Sequence, residues 1–184
     1  GSVYFDPSQM NLRDLMPSEN PFTHAVILFA ETKIETCKRD EARSYALNVT
    51  STKRVLEELL TMGVKPVFVS SAHVFSGEKG NYTEQDEPDP ITVYGKQKLE
   101  VENYLAACTN DFATLRLNKV YGSSLGDQTL LADWVEQITQ GSEIRCAYDE
   151  IFSPIHIDDV VNAMDAVIKM NLSGTFNLAG TEPW

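Results

Sequence analysis

Pro66-Val67-Phe68-Val69-Ser70-Ser71 is the stretch whose reading decides the fold. Four residues without polar interruption, then two hydroxyls, predict a strand covered on both faces that ends in a polar turn. Ala25-Val26-Ile27-Leu28-Phe29-Ala30 reads the same way. Between the two, residues 41–62 carry Tyr45, Val49, Thr52, Leu56, Leu59 and Leu60 at three- and four-residue steps. That spacing predicts an amphipathic helix, and Gly63 stands as its stop signal. Downstream, residues 77–92 are polar and broken by Gly80, Pro88 and Pro90. A helix over 94–107, a strand over 112–117, helices over 133–140 and 157–170 and a strand over 174–178 complete the pattern. Alternation of buried strands with helices implies an α/β fold with a parallel sheet and right-handed crossovers.

The chain has 184 residues, 42% of them hydrophobic and 23% charged, which fits one globular domain over 1–184. The net charge of −12 argues against a nucleic-acid groove or an anionic membrane surface, since both require clustered Lys and Arg. Cys37, Cys108 and Cys146 are odd in number and far apart, so neither a zinc site nor a disulfide framework is expected. His24, His73 and His156 are scattered too, and no metal is expected. No apolar run approaches the roughly 20 residues of a membrane span. A reduced, cytoplasmic protein is the expectation.

The chemistry resides in Tyr94-Gly95-Lys96-Gln97-Lys98. Positions four apart share a helix face, so Tyr94 and Lys98 point into one site. An ammonium about 4 Å from a phenol, at an effective dielectric near 20, favours phenolate by roughly 4 kcal/mol. That corresponds to about 3 pH units before desolvation opposes it. Taken alone the spacing is weak, because both residue types are common on helices. Its context is more specific: Ser71 ends a buried strand, where parallel sheets place their ligands, and the Tyr94 helix follows after a polar loop. Ser70 is the alternative hydroxyl; register favours Ser71.

These segments together resemble the extended short-chain dehydrogenase/reductases, the epimerase and dehydratase group acting on nucleotide sugars, and within it the dTDP-4-dehydrorhamnose reductase-like branch. The likeness rests on Asn48-Val49, residues 69–75, Tyr82-Thr83-Glu84 through Pro90, residues 94–98, Leu115-Arg116 with Val120-Tyr121-Gly122, residues 154–160 and residues 174–180. It implies a Rossmann-like doubly wound sheet, here incomplete at its N-terminal end, and an NAD or NADP cofactor. It implies a nucleotide-sugar substrate that is reduced or epimerised. A dehydratase usually adds an acidic pair beside the serine, where this chain has Ala72-His73. Carried over, Tyr94 is the general acid/base, Lys98 lowers its pKa and holds the nicotinamide ribose, and Ser71 steadies the substrate carbonyl. Ala30 lines the cofactor cleft, and Asn118 stands near the nicotinamide or substrate. A homodimer through helices 41–62 and 94–107 is also implied; a concentration-independent monomer in sedimentation would count against it.

Each residue also has a plainer reading. Asn48 bridges backbone groups between helix and sheet, His73 is a loop side chain and Lys96 faces solvent. Arg116 holds the loop after its strand, and His156-Ile157-Asp158-Asp159 is a helix N-cap with acids in its first turn.

The sequence departs from the family at both ends. The GxxGxxG turn that receives a pyrophosphate is absent, Val3 to Asp6 looks like the remnant of the family's third strand, and Ala25 to Ala30 matches its fourth. The family's C-terminal substrate-binding part is missing as well. Two explanations follow: a piece of a full-length enzyme, which the scar-like Gly1-Ser2 supports, or a shortened, non-catalytic binding or regulatory relative. The intact Ser71, Tyr94 and Lys98 set favours the first. Under either, the chain is expected to bind nicotinamide cofactor weakly or not at all.

Overall fold

The computed structural model describes residues 2–17, 20–124, 129–144 and 151–182, so Cys146 lies outside the described residues. The chain divides into two compact units, Gly1–Arg116 with Leu172–Phe176, and Leu117–Asn171 with Asn177–Trp184. Strands β1 (His24–Ile27), β2 (Lys65–Ser71), β3 (Ala113–Leu117) and β6 (Gly174–Leu178) form one sheet in the order β1-β2-β3-β6. β1 and β2 run parallel, in a register from His24 opposite Lys65 to Ile27 opposite Phe68. The architecture is a Rossmann-like α/β fold, a parallel sheet with flanking helices.

In the first unit β2 is the spine. Val67 and Phe68 are fully buried, as expected for a strand covered on both faces. β1 is shorter than its apolar run predicts: pairing stops at Ile27 and Leu28 is 66% exposed. The physical reason lies at Glu31. Its N–H donates to Asn48 Oδ1 at 2.8 Å, and its carbonyl accepts from Asn48 Nδ2 at 2.9 Å. A side-chain amide thus satisfies the backbone that a longer strand would have paired. Val3–Asp6 requires a correction, because it forms no strand and Val3 and Tyr4 are 70% and 78% exposed. Asp6 instead accepts from the Ser8 N–H and hydroxyl, which turns the chain at Pro7 toward a 3-10 turn over Leu12–Leu15.

A short helix α1 (Ile34–Arg39), which the sequence pattern did not reveal, precedes the long helical stretch. That stretch is α2 (Glu41–Tyr45), a wider π-type segment (Ala46–Ser51) and α3 (Thr52–Thr61). It ends at Gly63, whose φ of +69° suits glycine, with the Val64 N–H closing onto the Leu59 carbonyl. Val49, Val55, Leu56 and Leu59 pack with Phe68, Val101 and Leu105 into the core. Helix α4 (Val93–Cys108) is capped by Thr92, whose hydroxyl accepts from the Gly95 N–H at 3.0 Å.

The second unit contains α5 (Leu130–Thr139) and α6 (Ile157–Lys169), with a parallel pair of two-residue strands, β4 (Val120–Tyr121) and β5 (Ile155–His156). His156 caps α6 through Nδ1, which accepts from the Asp158 N–H at 3.2 Å, and Asp158 and Asp159 occupy the first turn. Among the described residues no helix is long and apolar enough to cross a membrane, and no cluster of His, Cys, Asp or Glu has the makings of a metal site.

Candidate active site

β2 ends at Ser71, and a 3-10 turn over Ala72–Val74 follows at once. Helix α4 lies across this end, and glycine is what lets it approach. A Cβ on Gly95 would stand 2.0 Å from the His73 carbonyl oxygen. The contact presses the first turn of α4 onto the turn after β2, where Tyr94 and Ser71 meet.

Ser71, Tyr94 and Lys98 are all within one-tenth of full burial. The Ser71 side chain stands close enough to Tyr94 to act on its phenol, and the Tyr94 ring stands edge-on to the His73 ring with centroids 6.0 Å apart. Lys98 Nζ donates to the Val69 carbonyl at 2.8 Å, lies 4.7 Å above the Phe68 ring and is 5.7 Å from the Tyr94 ring centroid. Ser70 is engaged elsewhere, since its hydroxyl donates to the Glu102 carboxylate. One helix face thus brings the three expected residues of the first unit to one strand end.

The electrostatics differ from the sequence expectation. Burial pushes the Tyr94 phenol up to about 12, and the nearby Ser71 hydroxyl offsets only part of that. Burial also pulls Lys98 down to about 8, while Glu102 and the Cys37 thiol work the other way. Desolvation is therefore what decides the shift of the phenol. In the ligand-free protein Tyr94 is a held proton rather than a ready phenolate.

This has a consequence for stability. Lys98 ordinarily titrates at 10.5 but at about 8 when folded. Between those values the unfolded chain binds a proton that the folded chain has released, so the Lys98 contribution to stability rises with pH across the window. Below it both states are protonated and the burial penalty is constant. Tyr94 acts oppositely: with its folded value raised to about 12, its contribution is complete below about 10 and is lost as pH rises further. Urea unfolding of wild type and Lys98→Met should therefore converge from about pH 8 toward about pH 10, by on the order of 3 kcal/mol. A stability gap that stays constant over that range refutes the assignment.

Two further residues are implied for the cofactor. Ala30 is half-buried in the loop after β1, next to the Glu31 backbone that Asn48 holds. Asn118 belongs to the second unit, where its N–H donates to Leu178 and its side chain accepts from the Lys119 N–H. Reading the sequence missed two groups. One is the buried network in which Asn48 Nδ2 donates to Gln97 Oε1 at 2.8 Å and Gln97 Nε2 donates to Ser44 Oγ at 2.9 Å. The other is Glu102, which binds both Ser70 and Arg116. Its signal was available, since Tyr94, Lys98 and Glu102 repeat at four-residue steps.

Residues 9–183 match the family described as RmlD substrate binding domain. The spore coat polysaccharide biosynthesis protein SpsK of Bacillus subtilis is 29% identical, over 88% of this chain and 57% of its own length. Methionine adenosyltransferase 2 subunit beta of Rattus norvegicus is 28% identical, over 83% of this chain and 48% of its own. The chain thus spans about half the length of these relatives. Among solved structures, dTDP-4-dehydrorhamnose reductase from Yersinia enterocolitica superposes with a TM-score of 0.80 at 27% identity, covering 88% of this chain and 57% of that one. MoeE5 in complex with UDP-glucose and NAD shares the fold, with a TM-score of 0.87 at 23% identity over 99% of this chain and 64% of that one. A match across nearly the whole chain, on a Rossmann-like sheet whose central strand ends at Ser71 beside Tyr94 and Lys98, places this chain in the RmlD substrate binding domain family, of the dTDP-4-dehydrorhamnose reductase-like branch of the short-chain dehydrogenase/reductase and epimerase superfamily.

Proposed function

We propose that Ser71, Tyr94 and Lys98 carry the proton-transfer half of an NAD(P)-dependent reductase or epimerase acting on a nucleotide-linked keto sugar. The observation that carries this reading is their convergence, buried, at the end of β2. The donor set suits a dinucleotide. Lys98 uses one N–H on the Val69 carbonyl, and an ammonium has three, so two remain for ribose hydroxyls. A nicotinamide held there would supply hydride to the sugar carbonyl. Tyr94, holding its proton until it is needed, donates it to the carbonyl oxygen as general acid. The Ser71 hydroxyl stabilises the charge that develops there, and the neighbouring ammonium stabilises the phenolate left behind. In the reverse direction the phenolate is the base.

A second reading, a non-catalytic binding or regulatory subunit, draws on the similarity to methionine adenosyltransferase 2 subunit beta. One experiment separates them: turnover of a dTDP- or UDP-linked 4-keto sugar at saturating NADH or NADPH, by wild type and by Tyr94→Phe. The phenylalanine variant is expected to be folded and slower by about 100- to 10,000-fold, the usual worth of a positioned acid. Equal rates overturn the proton-donor role. Weak cofactor binding is expected of this chain under either reading. A wild type that binds both cofactor and sugar yet shows no turnover therefore overturns the enzyme reading and favours the subunit.

A further inference from the structure

We propose that Glu102 is a positioning residue of the Tyr94–Lys98 centre: one helical turn beyond Lys98, its carboxylate locks the end of β2 and sets a fixed negative charge behind the lysine. The proposal rests on the reading of Tyr94 and Lys98 given above and extends it by one residue.

Tyr94, Lys98 and Glu102 form a single stripe along α4, and each meets a successive position of β2. Lys98 binds the Val69 carbonyl, Glu102 accepts from the Ser70 hydroxyl, and Tyr94 meets Ser71. The strand end that presents Ser71 is therefore held by groups on both preceding residues. Glu102 is itself fixed from the far side. Arg116 Nε lies 3.1 and 3.2 Å from the two carboxylate oxygens, and Nη2 lies 2.7 Å from Oε2. The guanidinium in turn lies 5.0 Å from the Phe75 ring, just past the turn that follows Ser71. Glu102 and Arg116 are each 6% exposed, so this is a core pair rather than a surface one.

The charges around Lys98 are few among the described residues. Tyr94 and Glu102 face it from its own helix, the Cys37 thiol from α1 and the Val69 carbonyl from β2, with Arg116 behind Glu102 on β3. Burial opposes the ammonium, and the Glu102 carboxylate is the largest influence acting the other way. A pair that served only to fill the core would not matter to the charge on Lys98. This one does, because its carboxylate stands one helical turn from the lysine and opposes the effect of burial on it.

The test is an NMR titration of the Lys98 side-chain resonances in the ligand-free 184-residue chain, assigned through their loss in Lys98→Met. Glu102→Gln, which keeps the shape but removes the charge and turns one acceptor oxygen into a donor, is expected to lower the Lys98 midpoint by about one unit or more. Arg116→Met, which leaves the lysine as the nearest cation to the carboxylate, is expected to raise it. Glu102→Asp should restore a midpoint near that of wild type. Should either single variant fail to fold, Glu102→Gln/Arg116→Met removes both charges together, and its midpoint is expected below that of wild type. Midpoints unchanged from wild type in the folded variants overturn the proposal. The readout needs no turnover. A shifted Lys98 titration alongside an unaffected Tyr94→Phe rate would sink the proposed reaction and leave the Glu102 assignment standing.

Discussion

Replacing Gly95 by alanine is expected to destabilise the protein by at least about 3 kcal/mol, the upper range for forcing atoms into a packed site. Helix propensity alone predicts the opposite sign, since alanine is favoured over glycine in a helix interior by about 1 kcal/mol. The added Cβ would lie 2.0 Å from the His73 carbonyl oxygen, 2.9 Å from its carbonyl carbon and 3.0 Å from the Pro90 Cβ. The first two are backbone atoms in a 3-10 turn closed by the Phe75 N–H on the Ala72 carbonyl, so neither can swing aside. Relief requires either α4 to lift away from the turn or the turn to retreat. Lifting α4 carries Tyr94 and Lys98 with it, whereas retreat of the turn carries Ser71, so both separate the proposed donor from its partner. Gly95→Ala should therefore lose stability in urea and lose the close approach of Tyr94 to Ser71 together. A variant as stable as wild type would show that the helix and the turn do not approach this closely.

The elements with the plainest burial pattern were the legible ones. β2, α4, β3, α6 and β6 fall within a residue or so of the sequence expectation, because burial on one helix face or both strand faces writes itself into residue spacing. The exceptions share a cause. β1 stops at Ile27, and the Glu31 backbone just past the apolar run is bonded by Asn48, a partner 17 positions away that no local pattern reports. The π-type segment over Ala46–Ser51 is similarly silent, since its apolar spacing passes for an ordinary helix. Val3–Asp6 is expected as a remnant of the family's third strand only from the resemblance, and it forms no strand.

For the candidate site, helix periodicity put Tyr94 and Lys98 on one face, and the strand end supplied Ser71. The sign of the electrostatics was out of reach. Pairwise Coulomb arithmetic for an ammonium and a phenol points downward for Tyr94, but the outcome depends on how much water the fold removes from both groups. Ser70 against Ser71 was likewise undecidable by residue type. It turns on which hydroxyl meets Glu102, a contact 32 positions along the chain.

Glu102→Ala is expected to cost about 3–5 kcal/mol, because it strands a buried guanidinium. Arg116 is 6% exposed, and among the described residues its Nη1 has no hydrogen-bond partner, so Glu102 is the carboxylate that compensates the charged group. Arg116→Met alone should cost a similar amount for the converse reason. The informative variant is Glu102→Leu/Arg116→Met, which should be far less destabilised than the two single losses added together, since an apolar pair of similar volume avoids desolvating either charge. It will not reach wild type, because the Ser70 hydroxyl then lies buried without its acceptor, at a cost of about 1–3 kcal/mol. Adding Ser70→Ala should recover most of that remainder. Urea midpoints for this set decide the matter: additive losses would mean that the ion pair contributes little, whereas strong coupling with recovery at Ser70 identifies one buried polar unit. Such a unit ties β2, β3 and α4 together one residue away from the proposed catalytic serine.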